Sequence, residues 1–289
     1  MEMPTFSLRT RGRLVTLPRP AVMGVINVSP ESFYGVCGSV AEAIDCAAKM
    51  ISDGASILDL GAEATSPGVT LLEDEALQIQ LECERLLPVL EAIRSRFDVL
   101  ISIDTSRVEI IRAAAEKGAD IINDQRALRM PGALEAVSEH GLAACIMHSF
   151  RPQREPGSSS PKALLEAICV DLLGRVSVCE AAGMKRDQLM IDPGFGQGHY
   201  GKNGDENFYL LAHLKALVDL GLPVLAGWSR KSQIRDFLEK PLEDLLPGSL
   251  AAAAMAGQMG ASVIRAHDVK ETVDVCRMVG GVLGALLFL

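Results

Sequence analysis

Leu189-Met190-Ile191-Asp192-Pro193-Gly194-Phe195-Gly196 is a short apolar run that ends in an acid and then a glycine-rich turn. Such a run reads as a buried parallel strand, and Asp-Pro-Gly marks where the strand becomes a loop. Three further polar strings, Asn27-Val28-Ser29-Pro30, Ser229-Arg230-Lys231-Ser232 and Arg265-Ala266-His267-Asp268, likewise follow close behind a short apolar run. Polar residues gathered at the C-terminal ends of successive strands are how a (β/α)8 barrel builds an active site. The chain therefore reads as an enzyme.

Working outward from these strings, strands are expected at 22–28, 57–60, 99–103, 121–123, 143–147, 189–191, 224–227 and 263–265. Helical patterns separate them: 40–51 after Ser39, a good N-cap residue, 76–96, 108–117 ending at Gly118, 164–182, and the Ala-rich 249–259. Eight strands alternating with helices predict an α/β fold, a (β/α)8 TIM barrel, with a doubly wound open sheet as the alternative. Residues 5–18 alternate on both sides of Arg11-Gly12, which predicts a short N-terminal β-hairpin capping the barrel floor. No linker or repeat beyond the βα alternation interrupts the chain, so 1–289 reads as one domain. The Pro-, Gln-, Ser- and Gly-containing stretch 151–161 is a long βα loop, either a lid or an inert surface loop.

Hydrophobic residues make up 48% of the 289, enough for a sizeable core, but aromatics only 4%, so Leu, Ile, Val and Ala must fill it. A net charge of −9 argues against a nucleic-acid partner, while leaving room for a small anion held by a few cations. Seven cysteines, an odd number with no Cys-x-x-Cys among them, fit free thiols in a reducing, cytoplasmic setting better than disulfides or zinc. The first twenty residues lack a continuous apolar stretch, and 279–289 is too short to span a bilayer, so no membrane role is expected.

Asp59, Asp104, Asn123 and Asp192 each end or follow a different apolar strand run. One such Asp is commonly a helix cap or structural hydrogen-bonder; four on four strands point to a shared polar site, because buried polar groups are expensive unless paired or functional. An Asp and Asn set can accept from, and donate to, a heterocycle carrying amino and amide groups. Arg230, Lys231, Arg265 and His267 add donors at the ends of strands seven and eight, where barrels commonly bind phosphate. Asn27 offers an amide oxygen, a hard ligand suited to Mg²⁺ shared with a diphosphate. His140 and His148 read as structural; Trp228 reads as packing or a pocket wall.

The ordered strings resemble the dihydropteroate synthase family of pterin-binding barrels over about residues 20–280. The resemblance runs through Met23-Gly24 to Pro30, Ser32-Phe33, Gly54-Ala55 to Gly61, Thr65 with Pro67-Gly68, Ile101 to Thr105, Ile122-Asn123-Asp124, Met147-His148, the Asp192 and Ser229 strings, Gly248 to Ala252, and Arg265 to Val269. That family condenses a hydroxymethyl-dihydropterin diphosphate with p-aminobenzoate and releases pyrophosphate. The resemblance implies that Asp104, Asn123, Asp192, Lys231, Met147 and Gly227 surround the pterin. It implies that Asn27, Arg265 and His267 hold the diphosphate with Mg²⁺, Asn27 as metal ligand, and that Asp59 lies by the pterin methylene. Lys231, Asp59, Arg265 and His267 are then the catalytic set. Thr65, Pro67, Ser232, Phe33 and Gln197 are implied on the aminobenzoate side, and a homodimer through the last helices is the family expectation.

Three departures fall on the acceptor and anion side. Ser66 stands where the family usually has Arg. The first loop, Ser32 to Gly38, lacks the usual Asp. Gln197 stands where an aromatic is common, followed by what looks like a three-residue insertion, His199-Tyr200-Gly201. These departures motivate one alternative, a pterin-binding paralogue that is non-catalytic or uses another acceptor.

Overall fold

The computed structural model describes residues 4–28, 35, 37–62, 75–149, 155–197 and 200–286. The chain opens with the hairpin β1 (Thr5–Thr10) and β2 (Arg13–Pro18), antiparallel with Thr10 opposite Arg13. Arg11 and Gly12 have φ of 48° and 78°. Two successive left-handed residues form the tight turn whose twist matches the flanking strands.

Eight parallel strands follow: β3 (Ala21–Asn27), β4 (Ile57–Gly61), β5 (Leu100–Asp104), β6 (Ile121–Asp124), β7 (Ala143–Met147), β8 (Leu189–Asp192), β9 (Leu225–Ala226) and β10 (Val263–Ala266). Neighbours in sequence pair in order from β3 to β8, and β10 joins β9 to β3. The ring closes between β8 and β9 by a parallel bridge from Ile191 to Val224, with the Ile191 amide donating to the Pro223 carbonyl at 2.9 Å. The (β/α)8 expectation holds, and the open sheet does not.

Helices α1 (Val40–Ser52), α2 (Glu75–Arg94), α3 (Val108–Glu116), α4 (Ala133–Glu139), α5 (Pro161–Ala181), α6 (Gly204–Ala212), α7 (Lys215–Val218), α8 (Ser232–Leu238), α9 (Leu246–Gln258) and α10 (Val269–Leu286) complete the chain. Ser39 caps α1 as expected, accepting from the Glu42 amide. Two helices start earlier than the sequence pattern indicates. Pro161 and Pro247 stand in the first turns of α5 and α9, where the missing N–H goes unused. Strand β9 is two residues long, where 224–227 was expected. Pro223 has no N–H to add to the ladder, Gly227 brings no side chain to it, and Trp228 is drawn onto Phe195 and Phe208, with ring centroids 5.2 and 5.4 Å away. In the expected loop 151–161, residues 151–154 lie outside the described residues. The remainder is tied down: the Gly157 amide donates to Glu206 Oε1 at 3.0 Å and Ser160 caps α5.

Strand alternation divides the barrel into two cores. Val22, Ile26, Leu58, Leu60, Ile101, Ile103, Ile122 and Ile146 face the helices. Ala21, Met23, Ile57, Leu100, Ile121, Ala143, Cys145, Met190, Leu225 and Val263 face inward and fill the lower barrel. Leu8 and Leu17 of the hairpin, 0% and 6% exposed, join this inner cluster, so the hairpin plugs the floor. Fully burying such a side chain is worth about 1.5–3 kcal/mol. Asp120 staples the plug to the barrel: its carboxylate accepts from Arg13 at 3.0 Å, from Arg94, and from the Ile101 amide at 3.0 Å. All seven cysteines are free thiols. Among the described residues, no helix is long and apolar enough to cross a membrane.

Candidate active site

The inward parity that fills the floor with aliphatics continues upward into polar residues. Above Met23, Ile57, Leu100, Ile121, Cys145, Met190 and Val263 in their strands come Asn27, Asp59, Asp104, Asn123, Met147, Asp192 and Arg265, and His267 follows just beyond β10. Asp104 is in register with Asn123, and Met147 with Asp192. The apolar plug below and this polar layer at the strand C-terminal ends together make a closed-bottomed chamber.

Arg265 joins two carboxylates across the chamber. Its Nε donates to Asp59 Oδ2 at 2.6 Å and its Nη2 to Asp104 Oδ2 at 2.8 Å. Asn123 Nδ2 also donates to Asp59 Oδ2, at 3.2 Å. Asp59 is fully buried, and its Oδ1 has no hydrogen-bond partner among the described residues. An orphaned buried oxygen of this kind costs about 1–3 kcal/mol and invites a donor from a ligand. Burial pushes the Asp104 carboxyl up to about 6 against the pull of Arg265, with the Asp59 charge adding to the rise. Burial works against the Arg265 charge, but Asp59 and Asp104 outweigh it and hold the guanidinium above its ordinary value.

Asp192 and Lys231 form the opposite wall. Burial raises the Asp192 carboxyl, opposed first by Lys231 and then by the Gly194 amide, which donates to Oδ1 at 2.7 Å. Burial lowers the Lys231 ammonium to about 8, opposed by Asp192. Lys231 Nζ donates to the Phe195 carbonyl. Gly227 lies between the two cations: a Cβ there would stand 3.8 Å from Arg265 Cβ and 4.0 Å from Lys231 Nζ. The loop after Asp192 has room only for glycine at 194, where φ is 70° and a Cβ would stand 2.1 Å from the His148 carbonyl oxygen.

Two residues that the sequence reading missed hold this loop. Lys202 is fully buried, donating from Nζ to the Gly194 carbonyl at 3.0 Å, with His148 Nδ1 3.5 Å away. Asn207 accepts from the Gly196 amide at 2.8 Å and donates back to its carbonyl at 3.2 Å. Nothing in the local sequence marks this lysine as buried. Burial, then Lys202, lowers the His148 ring to about 3.

At the end of β10, His267 Nδ1 lies 3.0 Å from Ser229 Oγ, and burial followed by Arg265 lowers the ring to about 3. Arg230, expected among the donors of this corner, is turned elsewhere. With φ of 55°, it forks onto Asp268 through two 2.8 Å bonds and donates to the Leu242 carbonyl at 2.8 Å. Its hydrogen-bonding capacity is committed to the fold, so Lys231 and Arg265 are the strand-end cations that face the chamber. Ser232 opens α8 next to Lys231, and half-buried Asn27 ends β3. Thr65, Ser66, Pro67, Phe33 and the rest of 29–34 lie outside the described residues. Gln197 faces α6, its amide nitrogen 3.2 Å from where a Cβ on Gly204 would stand. Among the described residues of this loop, the Tyr200 side chain reaches Lys231, its ring centroid 5.6 Å from Lys231 Nζ.

The model of the protein family described as pterin binding enzyme matches residues 23–267. The chain belongs to the pterin-binding enzyme family. The match runs from Met23 of β3 to His267, so it takes in most of β3, the other seven barrel strands and the whole polar layer. This pterin-binding enzyme is 42% identical to the dihydropteroate synthase of Escherichia coli (strain K12), over 96% of this chain and 97% of that one. A dihydropteroate synthase from Coxiella burnetii solved with pteroic acid is 48% identical, with a TM-score of 0.90, covering 95% of this chain and 97% of that chain. The Yersinia pestis dihydropteroate synthase solved with a sulfonamide drug complex has a TM-score of 0.87 at 40% identity, over 97% and 100% of the two chains. A more distant relative, inactive dihydropteroate synthase 2 of Mycobacterium bovis, is 33% identical over 94% of this chain and 86% of that protein.

Proposed function

We propose that this pterin-binding enzyme is a dihydropteroate-forming transferase: it joins 6-hydroxymethyl-7,8-dihydropterin diphosphate to p-aminobenzoate and releases pyrophosphate. The observation that carries this reading is the wall of Asp104, Asn123, Asp192 and Lys231 on one polar layer, facing Arg265. A pterin presents amino and ring N–H donors beside a carbonyl. Asp192 accepts from the donor edge, Lys231 donates to the carbonyl, and Asn123 does both. The orphaned Asp59 oxygen supplies negative charge where the pterin methylene loses its leaving group. Pteroic acid in the relative from C. burnetii supports this choice of ligand.

Departure of a diphosphate requires positive charge and donors at its oxygens. Arg265 and His267 stand at the end of one strand for that task. Mg²⁺ fits this donor set as a companion of the diphosphate. Among the described residues, no group of three His, Cys, Asp or Glu side chains makes a metal cage, while the Asn27 amide is a hard oxygen ligand at the chamber rim. When bound, the ion neutralises charge on the leaving group. The acceptor amine is neutral at pH 7, so its binding surfaces need only to aim it at the methylene. Ser232, together with Thr65, Pro67 and Phe33, is assigned to that side. Exposed Met255, Met278 and Val282 on α9 and α10 support a homodimer through the last helices. Free thiols throughout agree with work in the cytoplasm.

Purified protein mixed with the pterin diphosphate, Mg²⁺ and p-aminobenzoate should release pyrophosphate and dihydropteroate in equal amounts. Tight pterin binding with no dihydropteroate formed would favour the paralogue that lacks this chemistry.

A further inference from the structure

The loop between β6 and α4 carries two successive non-glycine residues in the left-handed region, Ala127 and Leu128, with φ of 53° and 55°. A residue with a Cβ avoids this region, because the Cβ crowds the following carbonyl oxygen, and two in a row persist only where the surroundings impose them. Both are buried. Asp124, fully buried at the end of β6, holds one side of the bend. Its carboxylate accepts from the Arg126 amide at 2.7 Å, from the Leu128 amide at 2.6 Å and from the Ser106 hydroxyl. Arg175 of α5 holds the other side. Its Nε donates to the Ala127 carbonyl at 2.5 Å and its Nη2 to the Leu128 carbonyl, so one guanidinium closes on both strained residues.

Gln125 opens this bend directly after β6. Its Nε2 donates to Asp104 Oδ1 at 3.2 Å, its Oε1 accepts from the Tyr200 hydroxyl at 2.9 Å, and its carbonyl accepts from Ser149 Oγ at 3.2 Å. Asp104 gives its other oxygen, Oδ2, to Arg265. The tight bend at 124–128 keeps the Gln125 amide beside β5. We propose that Arg175 is a remote positioning residue for the pterin site: by holding Ala127 and Leu128 left-handed, it keeps Gln125 on Asp104 and so orients that carboxylate toward the heterocycle. This rests on the site proposed above and adds to it a residue from the helical layer. The fork matters, because a guanidinium fixes its N–H vectors in one plane and meets two adjacent carbonyls at once.

The test uses the full chain with Arg175→Met, Gln125→Leu, the two combined, and Arg175→Met with Ala127→Gly, each first shown to be folded by thermal unfolding. 6-Hydroxymethylpterin is titrated by calorimetry. Arg175→Met and Gln125→Leu should each raise Kd about tenfold, the worth of one hydrogen bond to a charged group. The combination should raise it no further, since both changes remove the same bond. Ala127→Gly should restore most of the affinity to Arg175→Met, because glycine takes the left-handed conformation unaided. Losses that multiply in the combination, or no recovery with glycine, overturn the proposal.

A second readout needs no ligand. Asp104 is faced by Arg265, Asp59, Asp124 and Gln125, and the bond from Gln125 favours its ionised form. Nuclear magnetic resonance of protein labelled with carbon-13 at the aspartate carboxyls, assigned with Asp104→Asn, follows its titration. The midpoint should move to higher pH by equal amounts in Arg175→Met and Gln125→Leu. An unmoved midpoint in Arg175→Met would leave the arginine a packing role only and overturn the proposal. If the unmodified protein binds no pterin, the proposed function fails on its own, and this titration still decides the role of Arg175. Should Arg175→Met not fold, Arg175→Lys, which keeps the charge and loses the fork, is read in the same two ways.

Discussion

The Arg265 guanidinium spans Asp59 and Asp104, 2.6 Å from one carboxylate and 2.8 Å from the other, so one cation from β10 ties together the ends of β4 and β5. Asp59 is completely buried and Arg265 is 22% exposed. Removing the cation strands a buried charge, which is far worse than never having had the pair. Arg265→Met should lower stability by about 3 kcal/mol in denaturant unfolding. Adding Asp59→Asn to that variant should restore part of the loss, because the stranded charge is gone. Strictly additive losses in the double variant would show that the two residues are not coupled.

Two groups in the chamber titrate near neutrality. Asp104 is pushed up to about 6 and Lys231 down to about 8, each by burial first. Below 6, Asp104 takes a proton and ceases to accept from the ligand and from Arg265; above 8, Lys231 loses its charge. The association constant for a pterin lacking the diphosphate should therefore fall on both sides of an optimum between these values. Calorimetry across pH with Asp104→Asn checks the assignment: the acidic limb should vanish, and its survival near 6 would give that limb to another group.

The strands and the polar layer were legible because a parallel barrel writes them locally. Each apolar run buries both faces, and the residue that breaks the run has the parity of the chamber. The turn of Arg230 away from the chamber is not legible in Ser229-Arg230-Lys231-Ser232, because its partner Asp268 lies 38 positions away and its left-handed backbone leaves no local signal. The Tyr200–Gln125 bond spans 75 positions and is equally hidden: the local sequence shows an inserted tyrosine but not where its ring lies. Lys202 gave no signal, since a fully buried lysine is chosen by the carbonyl it meets, here that of Gly194. Strand β9 shrank because packing of Trp228 on Phe195 and Phe208 outweighed the apolar pattern of 224–227.

The hairpin is a plug, remote from the chemistry. Leu8 is fully buried in the inner cluster with Met23, Ile57 and Met190. Leu8→Ala should cost about 2–5 kcal/mol of stability through lost burial and the cavity left behind. At temperatures where the variant is folded, kcat/KM should be unchanged. A variant with intact stability and impaired turnover would assign the hairpin a role at the site instead.

Drug response should depend on the 199–201 insertion. Sulfonamides carry bulk beyond the ring that they share with p-aminobenzoate, and the Tyr200 ring stands 5.6 Å from Lys231, so a clash there can penalise the drug selectively. The ratio of sulfonamide inhibition constant to p-aminobenzoate KM should fall when 199–201 is deleted and Gln197→Phe restores an aromatic. An unchanged ratio would mean that the insertion does not reach the drug.

We propose the polar layer above the plugged floor as the pterin site, with Asp192 as a buried partner of the heterocycle. Calorimetric titration of a pterin analogue into the unmodified protein and into folded Asp192→Ala tests it most directly. Saturable one-to-one binding is expected, weakened by roughly 2–4 kcal/mol in the variant, the loss that follows when a buried hydrogen-bonding partner is removed. Equal affinity in the two proteins would contradict it.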